Sequence, residues 1–323
     1  MIPVSKVRLR LIRFFIVIIF ICCSAKVSLA ELGGTHFYAF PGAWAMDVPD
    51  GWIAQHHIRH ISINTWRDKN GHKHGKLGDA LTGIDNISSY QYILKAGYIY
   101  HIGSRKQFQF THLGIFPFAN VRVKLINTAA AVKGHKHYRN TGPGDPYSYN
   151  TFGWYNKNKT IHLSVGLHVR FPFGEYDKDD PASPGLNRFE VFPALSAHLR
   201  FPMETGLWTF DILQNFLYIS ENHDRDYDER DTMESNFIAC YYLSKVTRKL
   251  AFFTQWDYMR SVNDSKISGD KIGDGDCWSL GAGLGMVYTF KPNIIANIKH
   301  TEDVDGRQYR MDKATNFMLT WKF

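Results

Sequence analysis

Histidine is the side chain best placed to take up a proton or a metal ion near neutral pH, and the chain carries 15 of them. His56, His57 and His60 sit close together, and two His-Lys-His triplets follow at His72–His74 and His135–His137. Imidazoles suit zinc or copper. No cysteine pair and no zincin-type spacing accompanies them, and the intervening lysines add positive charge. Asp270, Asp274 and Asp276 lie among glycines, but the calcium-loop spacing and its terminal glutamate are missing. No metal and no cofactor is expected. Nor is an enzyme: the chain has no Gly-x-Ser-x-Gly elbow, no phosphate-cradling loop and no His-Glu-x-x-His.

The other polar side chains are spaced differently. His162, His168 and Arg170 stand on even positions between Ile161, Leu163, Val165, Leu167 and Val169. His198 and Arg200, with Glu190 and Ser196, alternate against Val191, Leu195, Ala197 and Leu199. Asp211 and Asn215 oppose Trp208, Phe210, Ile212 and Phe216. Asp257, Asn297, Lys299, Asn316 and Lys322 fall on the polar sides of later segments. A period of two puts each set on one face of a strand. Two readings stay open. A basic-leaning wall selects anions, or amphiphiles with anionic heads, by charge. Alternatively, inward polar groups simply solvate a lumen and pair with one another.

The elements that would hold these residues are strands. Twelve segments alternate: 51–67, 90–102, 107–127, 147–155, 160–173, 188–201, 206–220, 234–244, 249–261, 277–290, 293–302 and 312–323. Several keep the pattern for ten or more residues, longer than the usual strand of a soluble sandwich and suited to tilted strands of about 9–11 residues crossing a bilayer. The last segment sets Thr315, Phe317, Leu319, Trp321 and Phe323 against Ala314, Asn316, Met318, Thr320 and Lys322. Tight links near 103–106, 156–159, 202–205, 245–248 and 291–292 alternate with long polar ones near 68–89, 128–146, 174–187, 221–233, 262–276 and 303–311. That order belongs to an all-β, up-and-down antiparallel transmembrane barrel of about 12 strands (10–14 on this reading), with short periplasmic turns and long external loops. Pro117 marks an expected irregularity in the third segment.

The N-terminus fits export. Lys6, Arg8, Arg10 and Arg13 precede an apolar run from Phe14 to Ala25, and Ser28-Leu29-Ala30 offers small residues for cleavage. Residues 1–30 are therefore expected to be a removed signal peptide, 31–50 a periplasmic segment and 51–323 the barrel, placed in the outer membrane of a Gram-negative bacterium. The formal charge of +8 falls to +3 for residues 31–323, with 33 basic against 30 acidic side chains. Nucleic acid is accordingly not an expected partner; membrane lipid and lipopolysaccharide are. Cys240 and Cys277 remain, and they are expected to stand apart, since a bridge needs close Cα atoms. Oligomeric state is not legible.

The middle of the chain resembles a known family. Phe173-Gly174-Glu175-Tyr176-Asp177, then Asn187-Arg188 and Pro193-Ala194, is similar to the pattern P-T-G-x-Y-D … N-x-G-x-N-R … P of the outer-membrane family named for the meta-pathway of phenol degradation, which sphingosine-responsive outer-membrane proteins also resemble. Phe40-Pro41-Gly42, Gly144-Asp145 and the aromatic close also fit. Phe173 stands where proline is usual, and Glu175 replaces a small residue. The resemblance implies a barrel that passively carries small hydrophobic, aromatic or amphiphilic solutes, with Gly174, Tyr176, Asp177, Asn187 and Arg188 as its motif loop. The other reading is a non-transporting surface protein that binds partners through its long external loops.

Overall fold

The computed structural model describes residues 50–68, 70–74, 84–104, 106–126, 135–224, 226–243, 247, 249–272 and 277–323. The expected signal peptide and nearly all of the expected periplasmic segment lie outside these residues. Twelve strands form the wall: β1 (Gly51–Arg67), β2 (Ile84–Ile102), β3 (Phe108–Ile126), β4 (Tyr147–Tyr155), β5 (Ile161–Arg170), β6 (Glu190–Pro202), β7 (Leu207–Ile219), β8 (Thr232–Tyr242), β9 (Leu250–Ser261), β10 (Trp278–Lys291), β11 (Ile294–Arg307) and β12 (Tyr309–Lys322). Each pairs antiparallel with the next, and β12 pairs back onto β1 from Ile53↔Lys322 to Arg67↔Tyr309. The ring is closed, so no barrel edge is left unpaired.

Facing follows the alternation. Leu163, Val165, Leu167, Leu195, Trp208, Phe252, Trp256, Leu284 and Phe317 are exposed on the outside. Asn215, Glu234, Asn236, Gln255, Asp257, Thr301 and Asn316 are buried within. This inversion of a soluble protein's pattern is what lipid outside the wall requires. Two apolar clusters also face inward: Ile238, Cys240, Ala251, Phe253, Val287 and Met318 on one side, and Ile53, Ile99, Leu113 and Tyr149 on another. Cys240 and Cys277 are buried and are not bridged by a disulfide.

Several long connections differ from expectation. Residues 303–311, read as a polar loop, are strand apart from Gln308, which turns with φ 48°. The second strand starts at Ile84 rather than at 90. His135–Pro143 forms a strand on the upper half of β3 within the expected 128–146 loop. Tyr227–Asp228, Ser265–Ile267 and Asp270–Ile272 make a small external sheet. Pro117 does not break β3, which pairs with β2 throughout. The irregularity lies on the other side, where β3 changes partner. Pro143 faces Phe118 and Tyr147 faces Ile115, so Gly144-Asp145-Pro146 set three residues against two. One extra residue is a β-bulge, which bends the strand and re-aims side chains.

Candidate functional site

That bulge anchors the loop between β5 and β6. Asp145 is buried, and its carboxylate accepts the Gly174 N–H at 2.9 Å and the Leu186 N–H at 2.7 Å, clamping both stems of the loop. Glu175 N–H donates to Pro143 O at 2.8 Å, and Gly185 N–H to Glu175 O at 2.8 Å. Gly174 is required by contact: a Cβ there would lie 2.7 Å from the Asp145 backbone nitrogen. Tyr176 OH accepts from Asn222 Nδ2 at 3.1 Å, and the same amide reaches Leu186 O at 2.9 Å. Asp177 Oδ1 accepts the Asp179 N–H, fixing the tip. Asn187, at φ 54°, turns the chain and donates to Asp224. The motif residues thus fold their own loop and fasten it to the bulge and to the next loop.

Beneath it lies a buried charge cluster. Arg170 Nη1 is 2.7 Å from Glu190 Oε2, Arg188 Nε donates to Glu190 Oε1 at 3.1 Å, and Arg188 Nη1 pairs with Glu229. Arg170 also stacks 4.4 Å from the Tyr147 ring centre. Burial works against the Arg188 charge, but the Glu229 and Glu190 carboxylates outweigh it and hold its pKa above the ordinary arginine value. Glu229 belongs to the connection that the sequence marks as a long polar link at 221–233. It is instead buried, because Arg188 draws it in. A sequence pattern carries no signal of that distant pairing.

Lower down, Lys299 Nζ donates to Gln255 Oε1 at 2.8 Å, and Gln255 Nε2 donates to Asp257 Oδ1 at 2.7 Å. Asn215 Nδ2 reaches Glu234 Oε2 at 3.3 Å, and His57 Nε2 donates to Asn316 Oδ1 at 2.9 Å. His198 Nδ1 lies 2.7 Å from Asp211 Oδ1. His162 and His168 stack on Tyr155 and Tyr149, with ring centres 4.1 and 4.2 Å apart. Of the candidate lumen residues, His162, His168, Arg170, His198, Asp211, Asn215, Asp257, Asn297 and Lys299 are buried in the barrel, and Arg200 and Lys322 are half-buried. Buried His57, Arg59, Lys95, Gln255, Glu234, Asp303 and Asp312 were missed. Their strands carry polar residues on both faces, so alternation gave a weak signal.

The clustered histidines do not converge. His57 points inward, while His56 and His60 point outward and pack on Trp321 and Tyr90. Of the two His-Lys-His triplets, the side chains of His74, His135 and Lys136 lie outside the described residues, as do Asp274 and Asp276.

Between the anchored loop and the wall of β1–β3 is a cavity of about 270 Å³. Ile61, Ile63, Ile87, Val121, Val123 and Leu186 give it an apolar side, and polar groups such as Gln91, Tyr176, Asp180 and Asn222 also line it. Arg59, Asp145, Arg170, Arg188, Glu229 and Asp312 add charge to the lining.

Comparison with known proteins agrees with this closed twelve-stranded wall. The family model "Putative MetA-pathway of phenol degradation" matches residues 67–317. The chain belongs to this family. The COG4313 outer membrane channel from Pseudomonas putida F1 superposes with a TM-score of 0.71 at 16% identity, covering 88% of this chain and 100% of that one. The transport unit of the autotransporter AIDA-I from Escherichia coli gives 0.55 at 11% identity, covering 89% and 94%. At these identities the likeness is one of fold, and the fold is that of Gram-negative outer-membrane barrels. No curated protein matches the chain.

Proposed function

We propose that this family member is a passive outer-membrane channel for small hydrophobic, aromatic or amphiphilic compounds moving down their gradient. The observation that carries the reading is the cavity under the anchored loop. Its aliphatic side suits a ring or a short chain, and the charged and polar side chains beside it suit a polar end. Pockets that are mostly apolar with a few placed polar groups are the usual form of small-molecule sites. The similar structure from Pseudomonas putida F1 is an outer membrane channel, which supports transport rather than turnover. Below the cavity, His162, His168, His198, Arg200, Asp211, Asn215, Asp257, Asn297, Lys299 and Lys322 would line the remaining path, with lipid and lipopolysaccharide surrounding the barrel.

Uptake of an aromatic or lipid-like compound should fall when the gene is deleted. Filling the cavity with Val121→Trp should lower that uptake while the purified barrel keeps its compact, heat-modifiable form on a gel. Unchanged uptake across a broad panel of such solutes, with no conductance in planar bilayers, rejects the proposal. Replacing 174–187 by a short turn distinguishes it from surface binding: a channel keeps or increases its permeation, whereas a loop-based binder loses its partner.

A further inference from the structure

The outer face of the barrel carries two paired arginines that no carboxylate among the described residues neutralises. Arg122 on β3 and Arg139 on the His135–Pro143 strand are direct cross-strand partners, and Lys124 and His137 form the next but one pair towards the loops. Arg122, Arg139 and His137 are exposed on the outside. Like charges directly opposite on one sheet face repel. Arg122 meets only neutral groups, donating to Asn120 Oδ1 at 3.2 Å and lying 5.9 Å from the Tyr90 ring centre. Among the described residues no carboxylate pairs with Arg122 or Arg139. On β2, the neighbouring strand, the outward residues alongside are Ser88, Tyr90 and Tyr92.

The same outward row changes character down the strand. Below Arg122 come Asn120, then Phe118 and Phe116, which are 47% and 55% exposed. At about 3.4 Å per residue, Phe118 lies roughly 13 Å from Arg122 along the strand. A ligand matched to this row has anionic groups above and hydrocarbon below, at the loop end of an outer-membrane barrel. We infer that Arg122 and Arg139, flanked by Lys124 and His137, form a binding site for the phosphates of lipopolysaccharide, whose acyl chains lie along Phe118 and Phe116. Guanidinium groups hold phosphate oxygens through paired, charge-assisted hydrogen bonds. The anion removes the repulsion that the paired arginines otherwise impose. The site is independent of what crosses the lumen.

The test uses the purified full-length barrel in detergent, titrated with bisphosphorylated lipid A, with fully dephosphorylated lipid A and with inorganic phosphate. The readout is the midpoint at which the compact form is lost on heating. Bisphosphorylated lipid A should raise the midpoint in a saturable way, and the other two should not. In Arg122→Ser/Arg139→Ser, apparent affinity should fall about tenfold or more, as expected when hydrogen bonds to charged groups are lost. Its midpoint without lipid should equal or exceed the parent's. Arg122→Lys/Arg139→Lys, which keeps the charge but not the paired geometry, should respond more than the serine variant and less than the parent, which separates charge from any folding defect. An equal response to dephosphorylated lipid A or to inorganic phosphate, or an undiminished response in the serine variant, overturns the site.

Discussion

Arg188 is the side chain on which the charged layer turns. It faces Glu190 and Glu229 together, and all three are buried. Removing one member of a buried ion pair leaves an uncompensated charge, a loss on the order of 3–5 kcal/mol. Arg188→Ala should therefore sharply increase protease cleavage of the 171–189 loop. Arg188→Met combined with Glu229→Gln should recover part of the protection, since neutralising both members removes the stranded charge. Equal cleavage of the two variants would show that the pair does not act as a unit. Asp50, at the turn end, titrates instead in solvent. Hydrogen bonds from Lys106 and then His101 hold its carboxyl well below the usual carboxylate range. A depressed folded value means that its stabilisation is complete above the ordinary carboxylate pKa near 4 and declines as pH falls below it. Asp50→Asn should remove that part of the acid loss, seen as a flatter melting midpoint against pH below about 4.

At the scale of elements, the bulge and the loop it clamps are one device. Two backbone N–H groups end on a single buried carboxylate, each bond worth about 1.5–3 kcal/mol when the acceptor is charged. Asp145→Ala should free the loop without opening the barrel, because none of the barrel strand pairings involves this residue. Limited proteolysis should cut between Gly174 and Leu186, and flux of a permeant solute should rise. A variant as resistant and as slow as the parent would mean that the loop is held elsewhere. Such elements were unevenly legible in the sequence. Strands such as β5 and β7 are legible with their facing because lipid outside forces every second residue to be apolar. Residues 84–89, 135–143 and 303–311 escaped for the converse reason. There the strands rise beyond the greasy belt, the hydrogen-bond ladder continues, and the outward positions need not be apolar, as at Ser88 and Arg139. The motif loop could be recognised as a pattern, but its clamp could not, because Asp145 comes from the β3–β4 connection and Asn222 and Glu229 from the one between β7 and β8.

For the whole molecule, closure is the property on which the rest depends, and the final residues carry its turn-end corner. Trp321 pairs with Ala54 and Lys322 with Ile53; Phe323 N–H donates to Trp52 O at 2.8 Å, and Lys322 N–H to Asn293 O at 3.0 Å. Deleting Trp321–Phe323 removes these links but leaves 12 of the 14 β1–β12 pairs. Each backbone bond contributes about 1 kcal/mol net, so the shortened chain should still form the compact species, with a clearly lower melting midpoint. Phe323→Ala should behave differently. That side chain is 77% exposed at the lipid boundary, and its backbone link survives the substitution, so the midpoint in detergent should scarcely move. Refolding purified chains into micelles measures both variants apart from any step of cellular assembly. If Phe323→Ala is as damaging as the deletion, the corner is held by the aromatic side chain and not by the strand ladder, and the seam between β1 and β12 is weaker than its register implies.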